Sequence, residues 1–271
     1  MANSAVAPAR TSPGRRRATC LLRWVVCLGT GYALVRFVVF PLLFWRAAEK
    51  CERPAHEVML SMEIPDVETG KPLQVELRRY EPYLVAEVTL PHDLSEKERR
   101  SSGFRQVAGY IFGKNGRRRG GLFGQSWMPA RIAATKEVEK IAMTAPVRSE
   151  TVGKSSASEV EDGDADTAVI SFTMPSKYKA VKDLPIPENR NVTLKEVPEH
   201  YAAVVGFRGP PPTPERVLLV KQAILRCLEE NDLEPVKDRG AMVYQYHDPF
   251  ATPNLLRWNE VVVMINKPTD E

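Results

Sequence analysis

Residues 73–90 are LQVELRRYEPYLVAEVTL, and this stretch decides the fold. Its first part, 73–80, alternates apolar and polar side chains, and its last part, 83–90, is rich in β-branched residues. Both patterns predict β-strands. Glu81 and Pro82 lie between the parts, where a proline favours a turn. The stretch therefore predicts two consecutive strands joined by a short connection.

An amphipathic helix is predicted next. Ser95 and Glu98 have capping-box spacing, and Gly113 ends the helical run. Between them, apolar side chains recur at the i, i+3, i+4 and i+7 positions of one helix face: Phe104, Val107, Ala108 and Ile111. Two more strands are predicted at 138–147 and 167–174. The stretch 149–166 is rich in Ser, Glu, Asp and Gly, so we expect a mobile hairpin loop there.

The same order of elements recurs in the second half of the chain. Thr213 suits the N-cap of a second helix from about Pro214 to Glu230, whose apolar stripe contains Val217, Val220, Ile224, Cys227 and Leu228. The strands around this helix are predicted at 192–197, 201–207, 241–247 and 259–265. Two β-β-α-β-β repeats predict an α+β domain at residues 71–268. Pairing the repeats into a distorted antiparallel β-barrel would hide the sheet edges and leave two flanking helices outside.

The N-terminal region has a different composition. Residues 24–45 are apolar except for Arg36, and as a helix they would span about 33 Å, enough to cross a bilayer. The arginine costs roughly 3 kcal/mol, which the Val, Leu and Phe residues offset. We predict a basic leader at 1–23, one transmembrane anchor at 24–45 and a polar connector at 46–70.

Other interpretations of the leader stay open. An acid-free, Arg-, Ser- and Ala-containing N-terminus is also typical of an organelle transit peptide, with or without an anchor after it, and a shorter apolar core is typical of a cleaved signal. The expected location is a single-pass membrane protein of either an organelle, mitochondrion or plastid, or the secretory route.

Charge and cysteine content exclude several classes. The net charge is +4, but seven arginines precede the first acidic residue, Glu49, and the rest of the chain is slightly acidic. This balance argues against a nucleic-acid partner. The four cysteines have neither zinc spacing nor a C-x-x-C-H motif, so any haem would be bound non-covalently.

Several segments together resemble the SOUL family of haem-binding proteins. They occur in the family's order and are VELRRYEPYLVAEV (75–88), GFRQVAGYIFGKN (103–115), KIAMTAPV (140–147), YHDPF (246–250) and RWNEVVV (257–263). The resemblance covers most of residues 73–266. It implies a distorted antiparallel barrel with two helices that binds haem or a related porphyrin in a shallow apolar cleft, reversibly and without catalysis.

Two features depart from that family. Residues 114–136 form an insertion with three consecutive arginines, which is either a solvated loop or a basic flap that contacts ligand carboxylates or a membrane surface. Arg79 stands where some relatives have a histidine, so axial ligation of iron from that position is not expected.

A porphyrin needs an apolar slot and cations for its two propionates. The expected slot has Phe104, Val107, Ala108 and Ile111 on one side, with Met143 approaching the ring and Arg100 or Arg105 meeting the propionates. The apolar four also suit an ordinary core, and the arginines suit a solvated face.

The four histidines are scattered and show no metal-site spacing. His92 and His247 are the stronger of these weak candidates for iron ligation, while a solvated loop histidine is the simpler interpretation.

Single residues and one helix of the sequence also suit two other function classes. Glu260 suits the general base of a hydrolase or part of an effector-sensing site, or else a structural carboxylate paired with an arginine such as Arg257. A protein-interaction module would require the apolar stripe of the second helix to be exposed.

Overall fold

The computed structural model describes Tyr32 and residues 35–66, 70–90, 96–116, 138–152, 167–237, 239–248 and 251–268. Within these residues the helices are α1 (Phe40–Glu49), which follows a π-helical turn at Val35–Val39, α2 (Glu96–Ile111) and α3 (Pro214–Glu229). The strands are β1 (His56–Pro65), β2 (Pro72–Tyr80), β3 (Tyr83–Leu90), β4 (Asn115–Gly116), β5 (Val147–Val152), β6 (Thr167–Thr173), β7 (Ile186–Pro187), β8 (Val192–Val197), β9 (His200–Arg208), β10 (Met242–Gln245) and β11 (Trp258–Ile265). The fold is therefore mixed α+β, as predicted.

Nine strands form one antiparallel sheet in the order β1-β2-β9-β11-β10-β5-β6-β3-β8. The first repeat supplies β2, β3, β5 and β6, and the second supplies β8, β9, β10 and β11. Each repeat pairs its first strand with the other repeat's second strand, β2 with β9 and β8 with β3. The third strands, β5 and β10, pair at the centre. The repeats are thus interleaved by an exchange of strands.

The predicted barrel is wrong. A barrel would need the two ends of the sheet to pair, but β1 and β8 lie at opposite edges and have no pairing with each other among the described strands. The strand pairing explains the open sheet. Each first strand joins the other repeat, and the third strands β5 and β10 join the two halves side by side. β1 then covers the outer edge of β2, where closure would otherwise occur.

Both long helices lie on the same face of the sheet, which we call the helix face. α2 contributes Val107, Tyr110 and Ile111 to a core with β3 and β6. α3 begins as predicted, because the Thr213 Oγ1 accepts a hydrogen bond from the Arg216 N–H at 3.3 Å. Its apolar stripe packs on β9 and β11, and Ile224 is completely buried. The interaction-module hypothesis is therefore not supported.

The other face, which we call the polar face, has a core of aromatic and small apolar side chains, including Tyr244 and Tyr246. Chain segments cover it in place of helices: Cys51 and Val236 pack against this core, and the Arg53 guanidinium lies 4.8 Å from the centre of the Tyr246 ring. Its side chains are consequently buried in surroundings that contain many polar groups.

Two predicted segments differ in the structure. The connector at 46–70 contains β1, an edge strand whose exposure on both faces removes the alternation that marks a strand. The strand predicted at 138–147 starts only at Val147, because the preceding residues run irregularly, with a single bridge between Thr144 and Glu52. Most of the loop predicted at 149–166 and of the insertion at 114–136 lies outside the described residues.

The predicted anchor at 24–45 is only partly described. Its described part enters α1, whose side chains include no buried residue. Among the described residues, no helix is both long and apolar enough to span a membrane.

Candidate functional site

A groove runs along the helix face above β5 and β10, where α2 and α3 do not meet. Its cavity volume is about 350 Å³. The floor contains Ile170 and Val243, and the wall from α3 contains Val217 and Leu218. This size and apolar lining lie within the range of small-molecule sites. The groove follows from the topology, because each helix covers the strands of its own half and leaves the central pair uncovered.

Two cations line the same groove. Arg99 comes from α2 and Lys221 from α3, one from each wall. Leu218 is 54% exposed, so its apolar surface is available to a ligand. The groove therefore offers an apolar surface with positive charge at two sides, beside one acidic residue, Glu150 of β5.

The predicted apolar contact residues of α2 lie mostly inside the core. Val107 and Ile111 have no exposed surface, and Ala108 is buried. Phe104 is partly buried, and its ring centroid lies 5.4 Å from that of Phe172. The amphipathic pattern of α2 thus marks the face that packs on the sheet.

The remaining predicted contacts are more exposed. Met143 is 38% exposed, and Arg105 lies on the outer face of α2, where its Nε donates to the Ser101 carbonyl at 3.2 Å. The side chain of Arg100 lies outside the described residues. Neither Met143 nor Arg105 is among the residues that line the groove.

His247, a weak candidate for iron ligation, is buried, and one of its ring nitrogens is in a hydrogen bond. Nδ1 accepts a hydrogen bond from the Trp258 backbone N–H at 3.0 Å, so in the neutral ring Nε2 carries the proton. Nε2 lies 3.4 Å from a carboxylate oxygen of Glu49, at the end of α1. Burial lowers the pKa of His247, against the opposing effect of Glu49. His92 lies outside the described residues.

Iron ligands are also missing from the lining of the groove. The described residues that line it include no His, Cys, Met or Tyr, and no three His, Cys, Asp or Glu residues in the described ranges cluster around a common point.

Glu260 belongs to the polar face and is saturated with hydrogen bonds. Its two oxygens accept from Arg78 at 3.0 and 3.2 Å, from the Tyr246 hydroxyl at 2.6 Å and from the Trp258 indole N–H at 3.1 Å. The suggested pairing with Arg257 is wrong, because Arg78 on β2 takes that place. Four donors on a side chain that is 2% exposed hold Glu260 as a structural carboxylate.

Sequence reasoning missed the second wall of the groove. Leu218 and Lys221 lie off the buried stripe of α3, where an exposed leucine one turn before a lysine carries little meaning by itself. The repeat is the sequence signal that could have predicted this wall. Two helices lie on one face of the sheet and leave its central pair of strands uncovered, so a groove forms between them.

The architecture defines a class of α+β proteins made of two interleaved β-β-α-β-β units with both helices on one face. The chain belongs to the SOUL haem-binding protein family, whose model matches residues 62–123 and 128–264. No curated protein is similar enough in sequence to match.

Solved structures with related geometry share little sequence with the chain. The C-terminal domain of EcmrR has 11% identity and a TM-score of 0.44, with 72% of this chain and 99% of that chain covered. A hydrolase from Listeria innocua has 11% identity and a TM-score of 0.41, with 82% and 96% covered. At this level of likeness, their ligands and activities say nothing about this chain.

Proposed function

We propose that the protein binds haem or a related tetrapyrrole reversibly and non-covalently, without transforming it, in the groove between α2 and α3. Membership of a haem-binding family supports the ligand class. The observation that carries the choice of site is the apolar groove with Arg99 and Lys221 on opposite walls. Porphyrin propionates would pair with these cations, and the ring would cover Leu218 and Val217.

Weak binding of the iron suits a carrier or buffer that must release its ligand. The described lining supplies no iron ligand, so the affinity rests on apolar burial and on charge. The saturated hydrogen bonding of Glu260 speaks against a hydrolase that uses this carboxylate as a base.

We further propose that residues 24–45 tether this domain to a membrane. The described part of that segment supports the idea, because Leu43 and Phe44 in α1 are about half exposed and pack in no core. Carbonate extraction of cell membranes should leave the protein in the pellet, and recovery in the supernatant would contradict the anchor.

Haem titration of the full-length chain in detergent tests the ligand proposal. A saturable Soret shift is expected, and Leu218→Ser should weaken binding about tenfold because it removes apolar contact area. Leu255→Ser is the matched control, since this leucine is 84% exposed on a 3₁₀ turn outside the groove. Equal loss in both variants would argue against the groove, and no Soret change in the unsubstituted chain would refute haem binding.

A second set of variants separates the contributions of charge, core packing and iron ligation to the affinity for haem. Lys221→Ala should weaken binding, whereas Lys182→Ala, an exposed lysine outside the groove, should not. Val217→Ala, which removes apolar surface from the groove, should weaken binding more than His92→Ala or His247→Ala. Phe104→Ala is the control for core packing, since Phe104 packs on Phe172 and is not among the residues that line the groove. A histidine variant that abolished binding would show that iron ligation dominates.

A further inference from the structure

Three arginines lie on or beside the sheet with little exposure, and two of them have a carboxylate partner. Arg78 pairs with Glu260, and Arg216 of α3 pairs with Asp66. Arg148 of β5 differs: among the described residues, no carboxylate oxygen lies within 4 Å of its guanidinium. A cation whose Nε–H is buried is costly unless it is paired, so the missing partner of Arg148 requires an explanation.

The surroundings of Arg148 are aromatic. Its guanidinium lies 5.6 Å from the ring centre of Tyr83 and 5.4 Å from that of Tyr244. One Nη donates to the Tyr83 hydroxyl at 2.9 Å, the other lies 3.6 Å from the Met242 sulfur, and the buried Nε–H has no acceptor among the described residues. The carboxylates of Glu150 and Glu87 act on it only from a longer distance.

A second unpartnered polar atom belongs to the same cluster. His200 is 9% exposed and stacks on Tyr80, and its ring centroid lies 5.8 Å from that of Tyr83. Its Nδ1 lies 2.9 Å from the Pro198 carbonyl, which only accepts, so Nδ1 carries the proton and Nε2 presents a lone pair. In the described part of the chain that buried Nε2 has no donor.

The cluster also opens to solvent on one side. Tyr83 and Arg148 are partly exposed, whereas Tyr244 and His200 are buried beneath them. Arg148 lies on the polar face, because its guanidinium contacts Met242 and Tyr244, which belong to the core of that face. The cluster is therefore separate from the proposed haem groove.

We propose that Arg148, Tyr83 and His200 form a second ligand site, which binds a small aromatic carboxylate. The guanidinium supplies the positive charge and the Nε–H donor that has no acceptor among the described residues, and Tyr83 supplies a ring for stacking. The ligand's carboxylate takes the role that Glu260 plays for Arg78 and Asp66 plays for Arg216.

Titration of the full-length chain with benzoate, monitored by calorimetry, tests this site. Saturable binding is expected, with benzamide at least about tenfold weaker because it lacks the charge. Arg148→Met should weaken benzoate binding at least about tenfold as well. Arg208→Met is the control, since this arginine also lies over an aromatic ring, that of Trp258. Leu218→Ser should leave benzoate binding unchanged, which separates this site from the groove.

A nitrogen-15 NMR experiment on the unsubstituted chain covers the case in which Arg148→Met fails to fold. Benzoate should shift the imidazole resonances of His200 and leave those of His247 in place. Absence of saturable binding, equal affinity for benzamide, equal loss in the Arg208 variant, or unmoved His200 resonances would each overturn the proposal.

Discussion

The two faces of the sheet bury side chains by different means. On the helix face, residues such as Val107 and Ile224 pack against α2 and α3 with no need for a partner of particular geometry. On the polar face, Glu260 and Arg78 are buried together, and each depends on the other. Apolar packing is non-directional and tolerates a groove between the helices, whereas a buried charge requires its partner.

The largest expected effect comes from breaking the polar face at its centre. Glu260→Leu removes the buried carboxylate and leaves Arg78 with the more exposed Glu76, at 2.8 Å, as its counter-charge. Such a loss costs about 3–5 kcal/mol of unfolding free energy. Urea unfolding of the full-length chain in detergent measures it.

Glu57→Leu provides the control for that variant. Glu57 pairs with Arg79 at 2.9 Å, but both side chains are exposed, so the change should cost less than about 1 kcal/mol. The double variant Arg78→Met/Glu260→Leu should recover much of the loss, because it buries apolar groups in place of an unpaired charge. A double variant as unstable as the single one would show that the pair itself stabilises the fold.

A smaller effect is expected on the helix face from Gly103→Ala in α2. A Cβ at Gly103 would lie 2.7 Å from the Cδ1 methyl of Ile170, 2.8 Å from that of Leu90 and 3.2 Å from the Ile170 Cβ, so these side chains or the helix must shift. Overpacking of this kind costs about 1–3 kcal/mol. Thermal unfolding of the variant should show a lower midpoint.

Gly109→Ala in the same helix is the matched control. Its Cβ would meet only the flexible side chain of Lys114, at 3.2 Å. Replacing a helical glycine by alanine there should stabilise by about 0.5–1 kcal/mol. If both variants had the same effect, close packing of α2 on β6 would not be what Gly103 provides.

The smallest expected effect is a dependence of stability on pH, which comes from two buried histidines. Burial lowers the pKa of His200, with Arg148 adding to this and the Pro198 carbonyl opposing it, and burial also lowers the pKa of His247. Both pKa values are lower in the folded state than in the unfolded state. As the pH falls, the unfolded chain therefore binds protons at a higher pH than the folded chain does. Stability is therefore full above about pH 6.5 and decreases as the pH falls below that value.

Urea unfolding at pH values on both sides of that point measures the decrease. His200→Gln should reduce the loss of unfolding free energy on acidification, whereas the exposed His56→Gln should not. A decrease that is identical in all three proteins would assign the pH dependence to other groups.

Much of the fold could be predicted from the sequence, because its signals are local. Strand alternation, the Thr213 cap and the repeated order of elements depend on neighbours along the chain, and each corresponds to an element of the structure. The edge strand β1 was missed because exposure on both faces leaves no alternation. The candidate site was predicted less well, because the stripe of α2 faces the sheet and the groove has its second wall on α3.

Local patterns along the chain were enough to predict the α+β composition, the two β-β-α-β-β repeats and the family. Tertiary structure alone decided that the repeats exchange their first strands, that the sheet stays open, and that a groove lies over β5 and β10. It also paired Arg78 with Glu260 while leaving Arg148 without a carboxylate among the described residues. The physical reason is that periodicity specifies which face of an element is buried, whereas the choice of partner for that face is made between residues far apart in the chain.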